Sequence, residues 1–263
     1  MEFFGHVHSS VWIAAGLIYL GRVTKVEKYI NSGKRIYDYV RSLSSDYGWV
    51  PEFAQWKPMN EEHCETCCLK DMILCARELV ECGYSEHWND INLIARNQLT
   101  ENQVKYTGYV VSDDTLPDKD GKTYHHLAER IIGGYTGGSE PNSISISRFR
   151  SIAGCCVGTA PIALGILWEN TVTKTDGIYT EASAGDVLTL LFEIKTVVKK
   201  EFFAGCEYTE YWHGGDMIDI EPKGGHIRLY QRDNEKEKYY PLPDDVTFTG
   251  SSDRGPTQMS PNM

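Results

Sequence analysis

The chain has 263 residues, 41% of them hydrophobic, with 26 basic against 37 acidic residues and a formal net charge of −11. Such a composition is that of a soluble globular protein with room for one large domain or two small ones. The acidic balance argues against a nucleic-acid surface, which carries a basic stripe. The longest apolar run, Val11 to Leu20, is too short to span a bilayer, and no basic segment precedes it as in a signal peptide.

The first half reads as helices joined in hairpins. An apolar segment near His8–Leu20 is expected to end at Gly21, and Val26, Tyr29, Ile30, Ile36, Tyr37 and Val40 then recur at helical spacing. A loop through Asp46-Tyr47-Gly48-Trp49-Val50-Pro51-Glu52-Phe53 leads to the cluster Cys64-Glu65-Thr66-Cys67-Cys68. A third helix is predicted over Cys67 to Cys82, with Leu69, Met72, Ile73, Ala76, Leu79 and Val80 on one face and Gly83 as its stop. A fourth follows over about Glu86–Val104, buried along Trp88, Ile91, Ile94, Ala95 and Leu99. Short connections between such helices make them antiparallel neighbours, as in a bundle or an α/α toroid.

Residues Tyr106–Ile152 read mostly as loop, with a short helix around His125–Ile132. The run Gly133-Gly134-Tyr135-Thr136-Gly137-Gly138 lacks the Gly-Lys-Ser/Thr ending of a phosphate loop and reads as a tightly turning or mobile wall. Thr159 is the expected N-cap of a fifth helix over Ala160–Glu169, with Pro161 in its first turn. The period then changes. Val187–Phe192, Ile194–Val198, Glu207–Trp212, Met217–Ile220 and His226–Tyr230 are short, β-branched or aromatic, and broken by turns such as His213-Gly214-Gly215-Asp216. The last twenty or so residues, rich in Pro, Ser, Asp and Gly, read as a disordered tail.

The eight cysteines carry the strongest chemical signal. Glu65 and Cys67 from one segment, with Cys155 and Cys156 from another, offer one oxygen and three sulfurs to a tetrahedral Zn²⁺, although the usual spacing of structural zinc sites is absent. Both thiol sets lie at the starts of helices, where the macrodipole favours the thiolate. On spacing alone, inert packing thiols remain the alternative, and Cys64, Cys68, Cys75 and Cys82 read as such. Disulfides are not expected in a chain able to bury a real core. Reduced thiols, together with the lack of any Asn-x-Ser/Thr acceptor, point to a cytoplasmic protein.

Taken in order, Gly5-His6-Val7-His8, Tyr47-Gly48-Trp49-Val50-Pro51-Glu52-Phe53, Cys64-Glu65-Thr66-Cys67, Ala95-Arg96-Asn97-Gln98-Leu99, Leu127-Ala128-Glu129-Arg130, Gly154-Cys155-Cys156 and Leu167-Trp168-Glu169-Asn170 form a pattern. It resembles glycoside hydrolase family 127, whose characterised members include β-L-arabinofuranosidases. The resemblance covers about Gly5 to Asn170 and weakens beyond, although Tyr211-Trp212-His213-Gly214-Gly215-Asp216 is still similar to a late strand pair. It implies an (α/α)₆ toroid followed by β-sandwich modules. It further implies zinc on Glu65, Cys67, Cys155 and Cys156, Cys155 as nucleophile, Glu52 as general acid/base, and His6 in contact with the sugar. At Val157-Gly158-Thr159 the chain departs from the family, which has Pro-Pro-Asn there.

The expectations are therefore an α+β chain: a partial toroid of antiparallel helix hairpins over 1–170 carrying the site, a small antiparallel β-sandwich-like module over 171–240, and a tail over 241–263. Five substantial helices fall short of the twelve that a toroid requires, so the chain is read as a truncated or partial member. Its partners would be an L-arabinofuranoside or related plant-derived sugar, and a second copy or partner chain that completes the toroid. The face of Val11, Ile13, Leu17, Ile30 and Tyr37 would then be only partly covered. Two rival readings stand beside the zinc-dependent retaining hydrolase. One is a catalytically inactive relative that binds carbohydrate or another chain, and the other is a helical protein with structural zinc.

Overall fold

The computed structural model describes residues 2–105, 107, 125–144, 152, 154–170, 193–225 and 227–232. The strand expected at Val187–Phe192, the tail over 241–263 and residues 108–124 and 145–151 of the expected loop lie outside the described residues. The fold is α+β, with six helices and seven strands among the described residues. Residues up to Arg232 form one compact unit.

Helix α1 (Val7–Thr24) buries a stripe of Val7, Val11, Ala14, Ala15 and Ile18, spaced three and four apart. It runs past Gly21 instead of stopping there. That glycine serves a close approach: a Cβ on it would meet the backbone nitrogen of Ile30 at 2.8 Å, and one on Gly33 would meet the Ala14 carbonyl oxygen at 2.6 Å. The turn falls instead at Lys25, which takes the left-handed conformation (φ 60°) and donates its N–H to Gly21. Helix α2 (Glu27–Ser42) then folds back on α1, burying Tyr37 and Val40. The face expected to be partly covered does not exist as one surface, because Val11 and Tyr37 are fully buried while Ile13 is 62% exposed.

Helix α3 (Thr66–Glu81) is the central element, packed against α1, α4 and α6. It is buried nearly all round. Leu69, Met72, Ile73, Cys75, Ala76 and Leu79 lie in the core, and each large apolar side chain among them contributes about 1.5–3 kcal/mol by leaving water. Gly83 (φ 100°) ends it, its N–H reaching Val80, while the Tyr84 N–H reaches Leu79.

The fourth helix is interrupted. Helix α4 (His87–Leu93) passes into a π-helical turn over Ile94–Leu99. There Thr100 Oγ1 donates to the Ala95 carbonyl at 2.8 Å, and Gly48 packs so closely that a Cβ would meet Ile94 Cα at 2.8 Å. Such turns re-aim side chains. Asn97 Oδ1 accepts the Met217 N–H at 2.9 Å, and Gln98 Oε1 accepts the Tyr230 hydroxyl at 2.6 Å.

Helix α5 (Leu127–Ile131) is short. Helix α6 (Cys155–Glu169) begins a turn earlier than Thr159, because extended Gly154 occupies the N-cap position. Thr159 instead lies inside the helix and donates back to the Cys155 carbonyl at 2.9 Å. Pro161 is consequently beyond the first turn.

Strands β1 (Gly5–His6) and β2 (Phe53–Ala54) pair antiparallel, with His6 opposite Phe53. Strands β3 (Ser143–Ile144) and β7 (Ile227–Arg228) form a second short ladder. The main sheet is a meander of β4 (Thr196–Phe203), β5 (Cys206–His213) and β6 (Asp216–Glu221). Its tight turns use Ala204 (φ 50°) with Gly205 (φ 78°), and the predicted Gly214 (φ 61°). One face turns inward through Tyr208, Glu210, Trp212, Met217 and Ile220. A bidentate Arg96–Asp216 pair at 2.8 and 2.6 Å ties it to the π-helical turn. The other two ladders have strands of only two residues each among the described residues, too short for the partner sheet of a sandwich.

Candidate metal and active site

The site is built at the start of two helices. Cys64 is bridged to both Pro51 and Ser139, with its N–H on the Ser139 carbonyl at 2.7 Å. That clamp fixes the entry to α3. Thr66 reinforces it by donating to the Thr136 carbonyl at 2.7 Å and accepting from Asn102 at 3.1 Å. Glu65 holds the extended N-cap position of α3, yet its carboxylate makes no cap bond. It points to the thiols.

One ligand atom each from Glu65, Cys67, Cys155 and Cys156 lies within 4.8 Å of all the others. The Cys67 sulfur is 3.3 Å from that of Cys155 and 3.5 Å from that of Cys156, and the last two are 4.0 Å apart. Glu65 Oε1 is 3.3 Å from the Cys155 sulfur and 3.7 Å from that of Cys156. The other carboxylate oxygen, Oε2, takes His6 Nε2 at 2.8 Å and the Cys68 thiol at 3.7 Å. His6, Glu65 and Cys68 accordingly form a second close group. A largely buried cluster of one carboxylate and three thiols is thus a set of ligands that can hold a metal ion. Cys155 is its exposed member.

The electrostatics make a cation the natural occupant. Burial pushes Glu65 up, but the His6 hydrogen bond and the Cys155 S–H outweigh it and leave this carboxyl below its usual range. The thiols move the other way. Partial desolvation, followed by the Cys67 hydrogen bond and the Glu65 charge, pushes Cys155 up to about 11. The hydrogen bond with Cys156 and burial push Cys67 far higher. Acidic groups converging on one point resist ionising together without a positive charge between them; a divalent cation would reverse the upward shifts of the thiols and hold Glu65 lower still.

Of the residues singled out in the sequence, Glu65, Cys67, Cys155, Cys156 and His6 come together. The Glu52 carboxylate is not among the clustered ligand atoms; it is in close contact with His63 Nε2, and its charge reaches the Cys68 thiol. Its backbone still borders the site, accepting the Val7 N–H at 2.8 Å beside the β1–β2 pair. Cys64 and Cys75 are fully buried and take no part. Three features escaped the sequence reading. Thr159 Oγ1 accepts the Cys67 thiol at 3.5 Å. His63 holds Glu52. The wholly buried Asp71 contacts both His8 Nδ1 and Lys70 Nζ. Asp71 lies four residues after Cys67, on the same helical face, and that spacing is the one sequence signal for it.

Comparison of this chain with family models, with curated proteins and with solved structures finds no match in any of the three.

Proposed function

We propose that the protein is a zinc-dependent retaining glycoside hydrolase of the family 127 type, built on part of an (α/α) toroid and acting on a β-L-arabinofuranoside or related sugar. The observation that carries this reading is the shape of the ligand set. Sulfurs about 2.3 Å and an oxygen about 2.0 Å from a tetrahedral Zn²⁺ stand roughly 3.8 Å (S···S) and 3.5 Å (S···O) apart. The separations of 3.3–4.0 Å between the sulfurs and 3.3–3.7 Å from sulfur to Glu65 scatter around those edges.

Bound zinc would supply the charge that keeps Cys155 as a thiolate at neutral pH. In the reading proposed, the exposed Cys155 sulfur attacks the anomeric carbon while the C–O bond to the leaving group breaks, and Glu52 gives its proton to the departing oxygen. Glu52 then takes a proton from water as that water's oxygen displaces sulfur from the same carbon, restoring Cys155. His6, fixed by Glu65, orients a sugar hydroxyl beside them.

The test uses one purified sample for metal analysis and for hydrolysis of aryl β-L-arabinofuranosides. Wild type should turn over and lose activity to a chelator, Cys155→Ala should be inactive on every substrate, and Glu52→Gln should chiefly lose those with poor leaving groups. Equal and mild losses for the two variants on all leaving groups would remove these roles.

A second reading has its own support. Helices α1 and α6 leave Trp12, Ile13, Tyr19, Val23, Ile162 and Trp168 exposed, and apolar residues on both sides of a helix favour burial against another chain. An inactive relative that pairs with a partner would bind zinc and sugar without turnover.

A further inference from the structure

Beside the metal cluster lies a run of rings of which the chemistry above uses only His6. Trp56 touches Phe53 at a centroid distance of 5.3 Å, Phe53 touches His6 at 5.0 Å, His6 touches His8 at 5.5 Å, and His8 touches Trp12 at 5.5 Å. The row joins two distant segments. Strand β1 and the first two turns of α1 supply one half, and β2 with the loop after it supplies the other. Each end is a tryptophan open to solvent, Trp56 at 58% and Trp12 at 54%, and Phe4 (66%) stacks on Trp56 at 5.4 Å. In a protein free to bury its aromatics, two such tryptophans closing one continuous row are unusual, because each forfeits the stabilisation that burial gives a large ring.

The rings are also held in place. Lys70 Nζ, itself fully buried, sits 3.9 Å from the Trp12 ring centroid, so one face of this indole is fixed against a cation. His8 is fixed through the buried Asp71, and His6 through Glu65. Flat rings alternate here with anchored imidazoles. That combination matches the surface of a sugar chain, whose C–H faces pack on aromatic rings while its hydroxyls need donors and acceptors at fixed points.

We propose that this row, from Trp56 through Phe53, His6 and His8 to Trp12, is a binding surface for an extended oligosaccharide, with His6 placing one sugar at the Glu65 end of the metal cluster. The proposal rests on the glycosidase reading and narrows its substrate class to a chain of several sugars, because a row of five rings is longer than one sugar can cover. A protein partner fits less well. The core of its docking surface would be the more apolar part, whereas the middle of this row is two imidazoles bonded to carboxylates.

The test is calorimetric titration of the whole protein with L-arabinofuranose oligosaccharides of increasing length and with xylo- and cello-oligosaccharides, on wild type, Trp12→Ala, Trp56→Ala and Trp168→Ala. Trp168 is an equally exposed control near the far end of α6 (68%). Affinity should rise with chain length. Each row variant should lose about three- to tenfold on the longer chains while keeping wild-type metal content, and Trp168→Ala should bind as wild type. No binding of any oligosaccharide, affinity independent of length, or equal losses in all three variants would overturn the proposal. So would a dimer, seen by sedimentation, that only the row variants dissociate. Hydrolysis of aryl β-L-arabinofuranosides is measured alongside. Turnover without length-dependent binding sinks the row and leaves the hydrolase, and length-dependent binding without turnover does the reverse.

Discussion

Two sets of cysteines share helix α3 and its approaches, and their fates differ. Cys64 and Cys75 are fully buried, and their sulfurs face groups that a packed core supplies. Cys64 takes a weak hydrogen bond from Asn102 at 3.8 Å and is pushed up to about 12 by burial. Cys67 lies on the same helix and is just as buried, but two further thiols and a carboxylate converge on it. Burial alone therefore decides nothing about a thiol's chemistry. The number of ligands aimed at one point does, and here it includes Cys155 and Cys156 in the first turn of α6, which begins five residues before the expected Ala160.

The contrast is broken most severely at Cys67. Cys67→Ser should remove most of the bound metal and, because metal binding is linked to folding, lower the melting temperature by about 10 °C, as read by metal analysis and thermal denaturation. The same change at Cys75 tests the other side. Cys75→Ser puts a hydroxyl into the buried core and should cost about 1–2 kcal/mol, a few degrees of melting temperature, with metal content unchanged. Metal loss from Cys75→Ser equal to that from Cys67→Ser would erase the distinction.

A smaller effect is expected where the sheet meets the loop before Trp49. Glu201 accepts the Asp46 N–H at 3.0 Å, and burial together with neighbouring Glu210 pushes it up to about 8. The folded chain thus holds a proton that the unfolded chain releases near the usual carboxylate range. Stability from this group is full below that range and falls as pH rises towards 8. Glu201→Gln, which cannot ionise, should flatten this decline, raising the melting temperature more at pH 8 than at pH 5. An equal shift at both values would contradict the assignment.

Much of this was legible in the sequence, for physical reasons that vary by element. The stripe of Leu69, Met72, Ile73, Ala76 and Leu79 fixes α3 to within a residue at each end, and the β-branched and aromatic runs mark β5, β6 and the start of β4, which runs five residues past the expected Val198. The π-helical turn at Ile94–Leu99 was not legible, because it answers to Gly48, Thr100 and the strands that Asn97 and Gln98 must reach. Nor was the early start of α6, where Thr159 looks like a cap and Gly154 acts as one. The ligand set was readable as residue types, and the structure adds their convergence. Glu52 shows the limit: residue type and order single it out, but its partner His63 is a matter of tertiary packing.

The central proposal is that the metal ion the Glu65, Cys67, Cys155 and Cys156 cluster can hold is zinc, and X-ray absorption at the zinc edge on the purified protein reads that shell directly. The account predicts about one zinc per chain, with three sulfurs at about 2.3 Å and one oxygen at about 2.0 Å. A protein that binds no stoichiometric zinc, or a shell made mainly of nitrogen and oxygen, would contradict it.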